Sequence, residues 1–241
     1  MLLVVAKAPA PGQVKTRLCP PATADQAAEI AAAALLDTLD AVAATPGVTP
    51  VLAVGGDLGR AARRADLLRA LRGWPILDQR GATFADRLVA AHADVADRFP
   101  GSPVLQIGMD TPQLRAPMLD RAVRRLAGTG LAVLGPAADG GWWALGLRDP
   151  RQAEALLGVP MSRGDTGLRT RRALRASGLR VASLPMLSDV DTMADAVAVA
   201  AIAPHGRFAA AVAAVTVPLA DPRGQNLALL ARGGETAAPR P

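Results

Sequence analysis

Met1-Leu-Leu-Val-Val-Ala6, followed by Lys7-Ala-Pro-Ala-Pro-Gly-Gln-Val-Lys15-Thr-Arg17, is the stretch from which the architecture is read. The apolar run predicts a short strand, Leu2 to Ala6, ended by a Pro/Gly-rich loop. Past the loop, Thr23 to Ala44 predicts a helix with Ile30, Leu35, Leu36, Leu39 and Val42 on one side, and Pro50 to Val54 predicts the next strand. The same alternation continues. Strand signals recur at Trp74 to Leu77, Val104 to Ile107, Leu131 to Leu134, Trp142 to Leu147 and Leu179 to Leu184, and Thr83 to Phe99 places Phe84, Leu88, Ala91, Val95 and Phe99 at helical spacing. Strands that alternate with helices must cross over, so the expected fold is α/β, a three-layer Rossmann-like sandwich whose mostly parallel sheet carries helices on both faces. Gly130 to Leu147 breaks the rhythm: only Pro136-Ala-Ala-Asp-Gly-Gly141 separates two strand signals there, which implies a hairpin or an antiparallel strand. After Ile202 one more helix, Gly206 to Ala214, precedes a Gly/Pro/Ala-rich tail from about Asp221 that is expected to be mobile. There is no internal repeat.

Composition narrows the function classes. A chain of 241 residues that is 51% hydrophobic can bury a sizeable core, and one α/β domain of this length is ordinary. Three Trp, three Phe and no Tyr argue against base-stacking platforms for single-stranded nucleic acid. The net charge of +6 comes from arginines spread over several predicted helices with acids interspersed, the pattern of a solvated basic surface rather than a nucleic-acid footprint. Cys19 is the single cysteine, so neither an intrachain disulfide nor a cysteine zinc site is expected, in keeping with a reducing compartment. No segment approaches the roughly twenty apolar residues of a membrane span, and the apolar start lacks a basic region or cleavage site, so a cytoplasmic location is expected.

In open α/β sheets ligands bind beyond the C-terminal ends of the strands, and four such places carry polar residues. The first is the loop Lys7 to Arg17. Its lysines are the only two among 27 basic residues, and compact ammonium groups confined to one loop suit phosphate. With Val14 before Lys15 and Gly12 the loop's only glycine it is not a Walker loop; an extended segment would point Lys15 and Arg17 the same way, while a surface turn fits the pattern too. The second is Asp110-Thr-Pro112 after an apolar strand, where a carboxylate can hold a divalent cation against a diphosphate or cap a helix. The third is Asp139-Gly-Gly-Trp-Trp143, read either as a close backbone approach to a ligand or as a tight turn with buried tryptophans. The fourth is Asp189-Val-Asp191-Thr192, whose two carboxylates face one side if extended, although Asp191 or Thr192 could simply cap the next helix.

Ala6-Lys-Ala-Pro-Ala-Pro-Gly-Gln-Val-Lys-Thr-Arg-Leu18, Ile107-Gly-Met-Asp-Thr-Pro112, Leu134-Gly-Pro-Ala-Ala-Asp-Gly-Gly-Trp-Trp-Ala-Leu-Gly146 and Asp189-Val-Asp-Thr192 stand in the order found in bacterial GT-A-fold glycosyltransferases of the arsenosugar-biosynthesis type, and the chain resembles that family from Met1 to about Ala203. More distantly it is similar to nucleotidyltransferases that guanylylate molybdenum cofactor and phospholactate. The resemblance implies a nucleotide-diphospho-sugar transferase domain over 1–203, with 204–241 a C-terminal helix and tail. It implies Lys7, Gly12, Lys15 and Arg17 around the nucleotide, a Mg²⁺ or Mn²⁺ ion on Asp110 and Asp191, and Gly140, Gly141 and Trp142 along the substrate. Met161-Ser162 stands where relatives carry Trp-Ser, and Trp142-Trp143 where they carry tyrosine, so acceptor identity is not inherited.

The implied chemistry is metal-dependent transfer of a sugar from a nucleotide-sugar donor to a small-molecule acceptor, in which cation, lysine and arginine neutralise the departing diphosphate. Asp139 is the expected base, with Asp165 as substitute. Two other readings stay open: nucleotidyl transfer from a nucleoside triphosphate to a phosphorylated acceptor, and a non-catalytic nucleotide-binding module. His92 and His205 are expected to be incidental, and there is no Gly-x-Ser-x-Gly of a serine hydrolase.

Overall fold

The computed structural model describes residues 1–216. Its strands are β1 (Leu2–Lys7), β2 (Pro50–Gly55), β3 (Ile76–Asp78), β4 (Val104–Gly108), β5 (Ala132–Pro136), β6 (Trp142–Leu147) and β7 (Val181–Ser183). They form one sheet in the order β3-β2-β1-β4-β6-β5-β7. All neighbours are parallel except β6, which runs antiparallel to both β4 and β5. The connection from β5 to β6 is too short for a crossover, so the chain must return antiparallel; β6 slots between β4 and β5 instead of extending the edge. The helices are α1 (Ala24–Ala43), α2 (Arg64–Ala70), α3 (Phe84–Arg98), α4 (Ala116–Thr129), α5 (Thr166–Ala176), α6 (Met193–Ile202) and α7 (Arg207–Thr216). The tail expected from about Asp221 lies outside the described residues. Among the described residues no helix is long and apolar enough to cross a membrane.

Strand alternation splits the core into two layers. Leu2, Val4 and Ala6 pack with residues of α1, α2 and α4, whereas Leu3 and Val5 pack with Leu88, Ala91 and Val95 of α3 and Leu174 of α5. A third cluster lies outside the first: Ala27, Ile30 and Ala34 of α1 meet Val199 of α6 and Phe208 of α7. Helix α1 is thus buried on two sides, by the sheet and by the C-terminal helices, and so its sequence is alanine-rich and apolar around most of its circumference instead of along the one stripe expected. Three helices start with reciprocal capping boxes: Thr23 with Gln26, Thr83 with Asp86 and Thr192 with Asp195. Asp37 and Asp40 of α1 hold Arg207 at the start of α7, and Asp37 also accepts the backbone N–H of Phe208.

His92 of α3 is buried against β4, with its Nε2 2.9 Å from Gln106 Oε1. Burial pushes its pKa down to about 4, against which the Gln106 bond acts weakly. The folded state holds this imidazole neutral while the unfolded chain protonates near pH 6.5, so stability is lost as pH falls from about 6.5 towards 4, by about 3 kcal/mol in all. Unfolding free energies measured across this range should show that slope in the wild type and a shallower one in His92→Gln; equal slopes would show that His92 does not titrate on unfolding.

Candidate active site

The order of the strands sets the location. From β1 the chain moves to β2 on one side, while β4 pairs with β1 on the other, so the gap beyond the C-terminal ends of β1 and β4 is the point where the winding reverses. The loop after β1 carries Lys15, and the segment after β4 carries Asp110. Lys15 Nζ lies 3.2 Å from Asp110 Oδ2 and 3.0 Å from Asp191 Oδ1. Asp191 follows β7, three strands away from β4, and reaches the crevice because the chain turns back across the strand ends: Leu187 bridges to Ala137, Gln113 Nε2 donates to Ser188 O, and Val190 N donates to Asp110 O. Val190 is buried below, which leaves the flanking Asp189 and Asp191 on the crevice side.

Carboxylate oxygens of Asp139, Asp189 and Asp191 lie within 4.8 Å of one another. Three hard oxygen donors of this kind suit Mg²⁺ or Mn²⁺ and not the nitrogen- and sulfur-preferring transition metals. Asp110 stands beside this triad in the grip of Lys15. Burial and the neighbouring charge of Asp139 push the Asp189 carboxyl up to about 6. For Lys15, burial works against the charge, but Asp110 and Asp191 outweigh it and the pKa lies above the ordinary lysine value. Of the triad only Asp191 is in the ligand pair expected from sequence, Asp110 and Asp191; Asp139 is expected there as the base, and Asp189 has no role. Its i, i+2 relation to Asp191 was visible, but its closeness to Asp139 depends on the chain doubling back.

The other anticipated residues fall as follows. Lys15 is not in an extended segment: it adopts a left-handed conformation (φ 47°) and opens a 3-10 turn, Thr16–Leu18, that carries Leu18 into the core. Arg17 nevertheless reaches the same carboxylate, 3.7 Å from Asp191 Oδ2, with an exposed side chain. Lys7 Nζ donates to Gln13 O at 2.7 Å and ties the neck of the loop, and Gly12 makes an exposed turn at φ 72°. Asp110 is no helix cap, because α4 begins at Ala116; Thr192 takes the cap of α6, which frees Asp191. Asp165 is committed to Arg169, 2.7 Å away at i+4.

Gly140 and Gly141 serve the packing of one backbone on another. Gly140 has φ 88°, a Cβ there would lie 1.9 Å from Gly164 O, and Gly167 N donates to Gly140 O at 2.8 Å. The turn carrying Asp139 is therefore clamped to the start of α5, and Gly141 N donates to Asp139 Oδ1 at 2.7 Å. The tryptophans point to opposite faces of β6: Trp142 Nε1 donates to Thr170 Oγ1 of α5, and buried Trp143 donates to Pro185 O, bracing the returning chain.

Residues 38–163 match the family described as "Uncharacterized protein conserved in bacteria" (DUF2064). The chain belongs to this family. No curated protein sequence matches the chain significantly. Among solved structures, a protein of Desulfovibrio desulfuricans G20 provisionally named a nucleotide-diphospho-sugar transferase is 25% identical, with a TM-score of 0.69 over 89% of this chain and 96% of that one. A cytidylyltransferase from Leptospira borgpetersenii serovar Hardjo-bovis (12% identity, TM-score 0.54, 86% of this chain and 88% of that one) shares the fold. So does a CMP:2-keto-3-deoxy-manno-octonic acid synthetase complexed with CTP (12% identity, TM-score 0.51, 85% and 98%). This DUF2064 chain thus has the fold of the nucleotide-diphospho-sugar transferase superfamily.

Two outcomes follow from the site. Gly140→Ala should cost about 3 kcal/mol or more, because the new methyl meets backbone and not a yielding side chain; a melting temperature within a degree of wild type would contradict the clamp. Asp189 favours the folded state while protonated, and that favour is lost as pH rises through about 6. In metal-free protein at pH 7.5, Asp189→Asn should therefore stabilise by about 1 kcal/mol, after discounting for solvent screening at a half-buried site. That gain should vanish near pH 4, and a lower melting temperature for the variant at pH 7.5 would contradict the charge crowding.

Proposed function

We propose that this protein is a metal-assisted glycosyltransferase that uses a nucleotide-diphospho-sugar, of the arsenosugar-biosynthesis type that its four motifs resemble. The observation that carries the reading is the convergence of Lys15 and Arg17 with Asp110 and Asp191 at the reversal point of the sheet, from positions 95 and 176 residues apart in sequence for the lysine pairs. The likeness to the Desulfovibrio protein, which spans nearly both chains, supports a nucleotide-containing donor.

In this reading Lys15 and Arg17 bind the donor diphosphate, as a point charge and a forked guanidinium respectively. Asp139, Asp189 and Asp191 would hold a divalent cation, with Asp110 beside them, and a cation held there would supply positive charge against the departing nucleoside diphosphate. Lys7 closes the loop at Gln13, and Lys15 follows directly after that tie. The clamp of Gly140 on Gly164 fixes the turn that carries Asp139, and so limits reorganisation as charge develops. The closeness of Asp139 to Asp189 and Asp191 supports a role on the cation over one on the acceptor's proton, and the Arg169 bond supports a role for Asp165 in the α5 surface.

The test is a panel of nucleotide-sugars and nucleoside triphosphates incubated with Mn²⁺ and Mg²⁺. The proposal expects free nucleoside diphosphate, dependent on the cation, and a loss of about 100-fold or more in Asp191→Asn. Pyrophosphate released from a triphosphate would replace glycosyl by nucleotidyl transfer, and binding without release of either would leave a nucleotide-binding module. Lys15→Ala should weaken nucleoside diphosphate binding by about tenfold and flatten its salt dependence; unchanged affinity would return the loop to a surface turn.

A further inference from the structure

We propose that Lys15 is a built-in competitor of the divalent cation for Asp191, withdrawn by the diphosphate of the incoming donor, so that anion and metal load cooperatively. The inference rests on the metal and diphosphate reading just given and adds how the two ligands are coupled. Asp191 is the one carboxylate shared by both arrangements: it belongs to the triad with Asp139 and Asp189, and its Oδ1 accepts from Lys15 Nζ at 3.0 Å. Its other oxygen faces Arg17 at 3.7 Å. A cation that uses Asp191 must therefore share it with an ammonium whose side chain is only 15% exposed, where like charges repel with little screening.

The backbone around that ammonium is held while the side chain is long. Lys7 Nζ ties off residues 8–12 at Gln13 O, and Lys15 follows just past the tie in a left-handed conformation that non-glycine residues seldom adopt. That geometry aims a long, flexible side chain at the carboxylates without packing it into the core. A phosphate oxygen offers the ammonium a charged acceptor in place of Asp110 and Asp191, and swinging towards it returns the Asp191 oxygen to the cation. Linkage then makes the effect reciprocal: whatever factor the anion contributes to metal affinity, the metal contributes to anion affinity.

The experiment measures Mn²⁺ affinity of the full chain by calorimetry, alone and with sulfate as a weakly chelating stand-in for phosphate at matched ionic strength. Lys15→Met should bind Mn²⁺ about tenfold more tightly than wild type without anion. Sulfate should tighten Mn²⁺ binding in the wild type and leave Lys15→Met unmoved. Lys15→Asn, a residue tolerant of the left-handed backbone, should behave as Lys15→Met does and guards against a folding defect. Arg17→Met removes the same charge from the exposed neighbour and should change affinity less than about threefold. Equal Mn²⁺ affinity in wild type and both Lys15 variants, or sulfate coupling that survives them, overturns the inference and leaves the metal site standing. Absence of Mn²⁺ binding to every form, with or without sulfate, overturns the metal reading itself and the inference with it.

Discussion

Strand β1 pairs in parallel with β4 from Leu2 opposite Leu105 to Val5 opposite Gly108, while its chain departs towards β2 on the other side. Two loops that leave neighbouring parallel strands in opposite directions open a crevice between them. Everything in the site hangs from that pairing. It puts the ammonium of Lys15 within 3.2 Å of the Asp110 carboxylate although the two are 95 residues apart. A one-residue slip of β4 would reverse which of its side chains face each layer and move Asp110 away from the lysine.

The second constraint is electrostatic. Four carboxylates, Asp110, Asp139, Asp189 and Asp191, gather at one end of the sheet with a single partly buried lysine among them. Burial first, and the neighbouring charge of Asp139 second, raise the Asp189 carboxyl, so that holding it ionised in this gathering opposes the folded state near neutral pH. Structural support for it is nonetheless extensive: Gly140 is pressed on Gly164, Trp143 braces Pro185, and Val190 anchors the returning chain to Asp110. Such scaffolding around mutually repelling groups is what a bound cation and a phosphate-bearing ligand require.

Much of this was legible before any coordinates. The apolar runs and their helical spacers foretold the order of elements, because local periodicity is what buried strands and half-buried helices impose on a sequence. The short Pro136–Gly141 link foretold the antiparallel strand but not its insertion between β4 and β5, a matter of non-local pairing. Lys15, Asp110 and Asp191 stood out as isolated polar residues after strands. Asp189 was visible as the i, i+2 neighbour of Asp191 but not as a partner of Asp139, since that nearness arises only when the segment after β7 folds back over β5 and β6. The Gly140-Gly141 signal was ambiguous in principle: close approach of backbone to backbone demands the same missing Cβ as close approach to a ligand. The double burial of α1 was similarly hidden, because an alanine-rich helix reads alike whether it has one partner or two.

One point in space decides the function, and a crystal structure with Mn²⁺ and a nucleoside diphosphate, with the manganese located by its anomalous signal, tests it most directly. Manganese is expected among Asp110, Asp139, Asp189 and Asp191, with the diphosphate within reach of Lys15 Nζ. Manganese and diphosphate bound elsewhere would contradict it, for example in the open groove of about 650 Å³ lined by Ile76, Arg80, Asp94 and Arg98 at the far edge of the sheet.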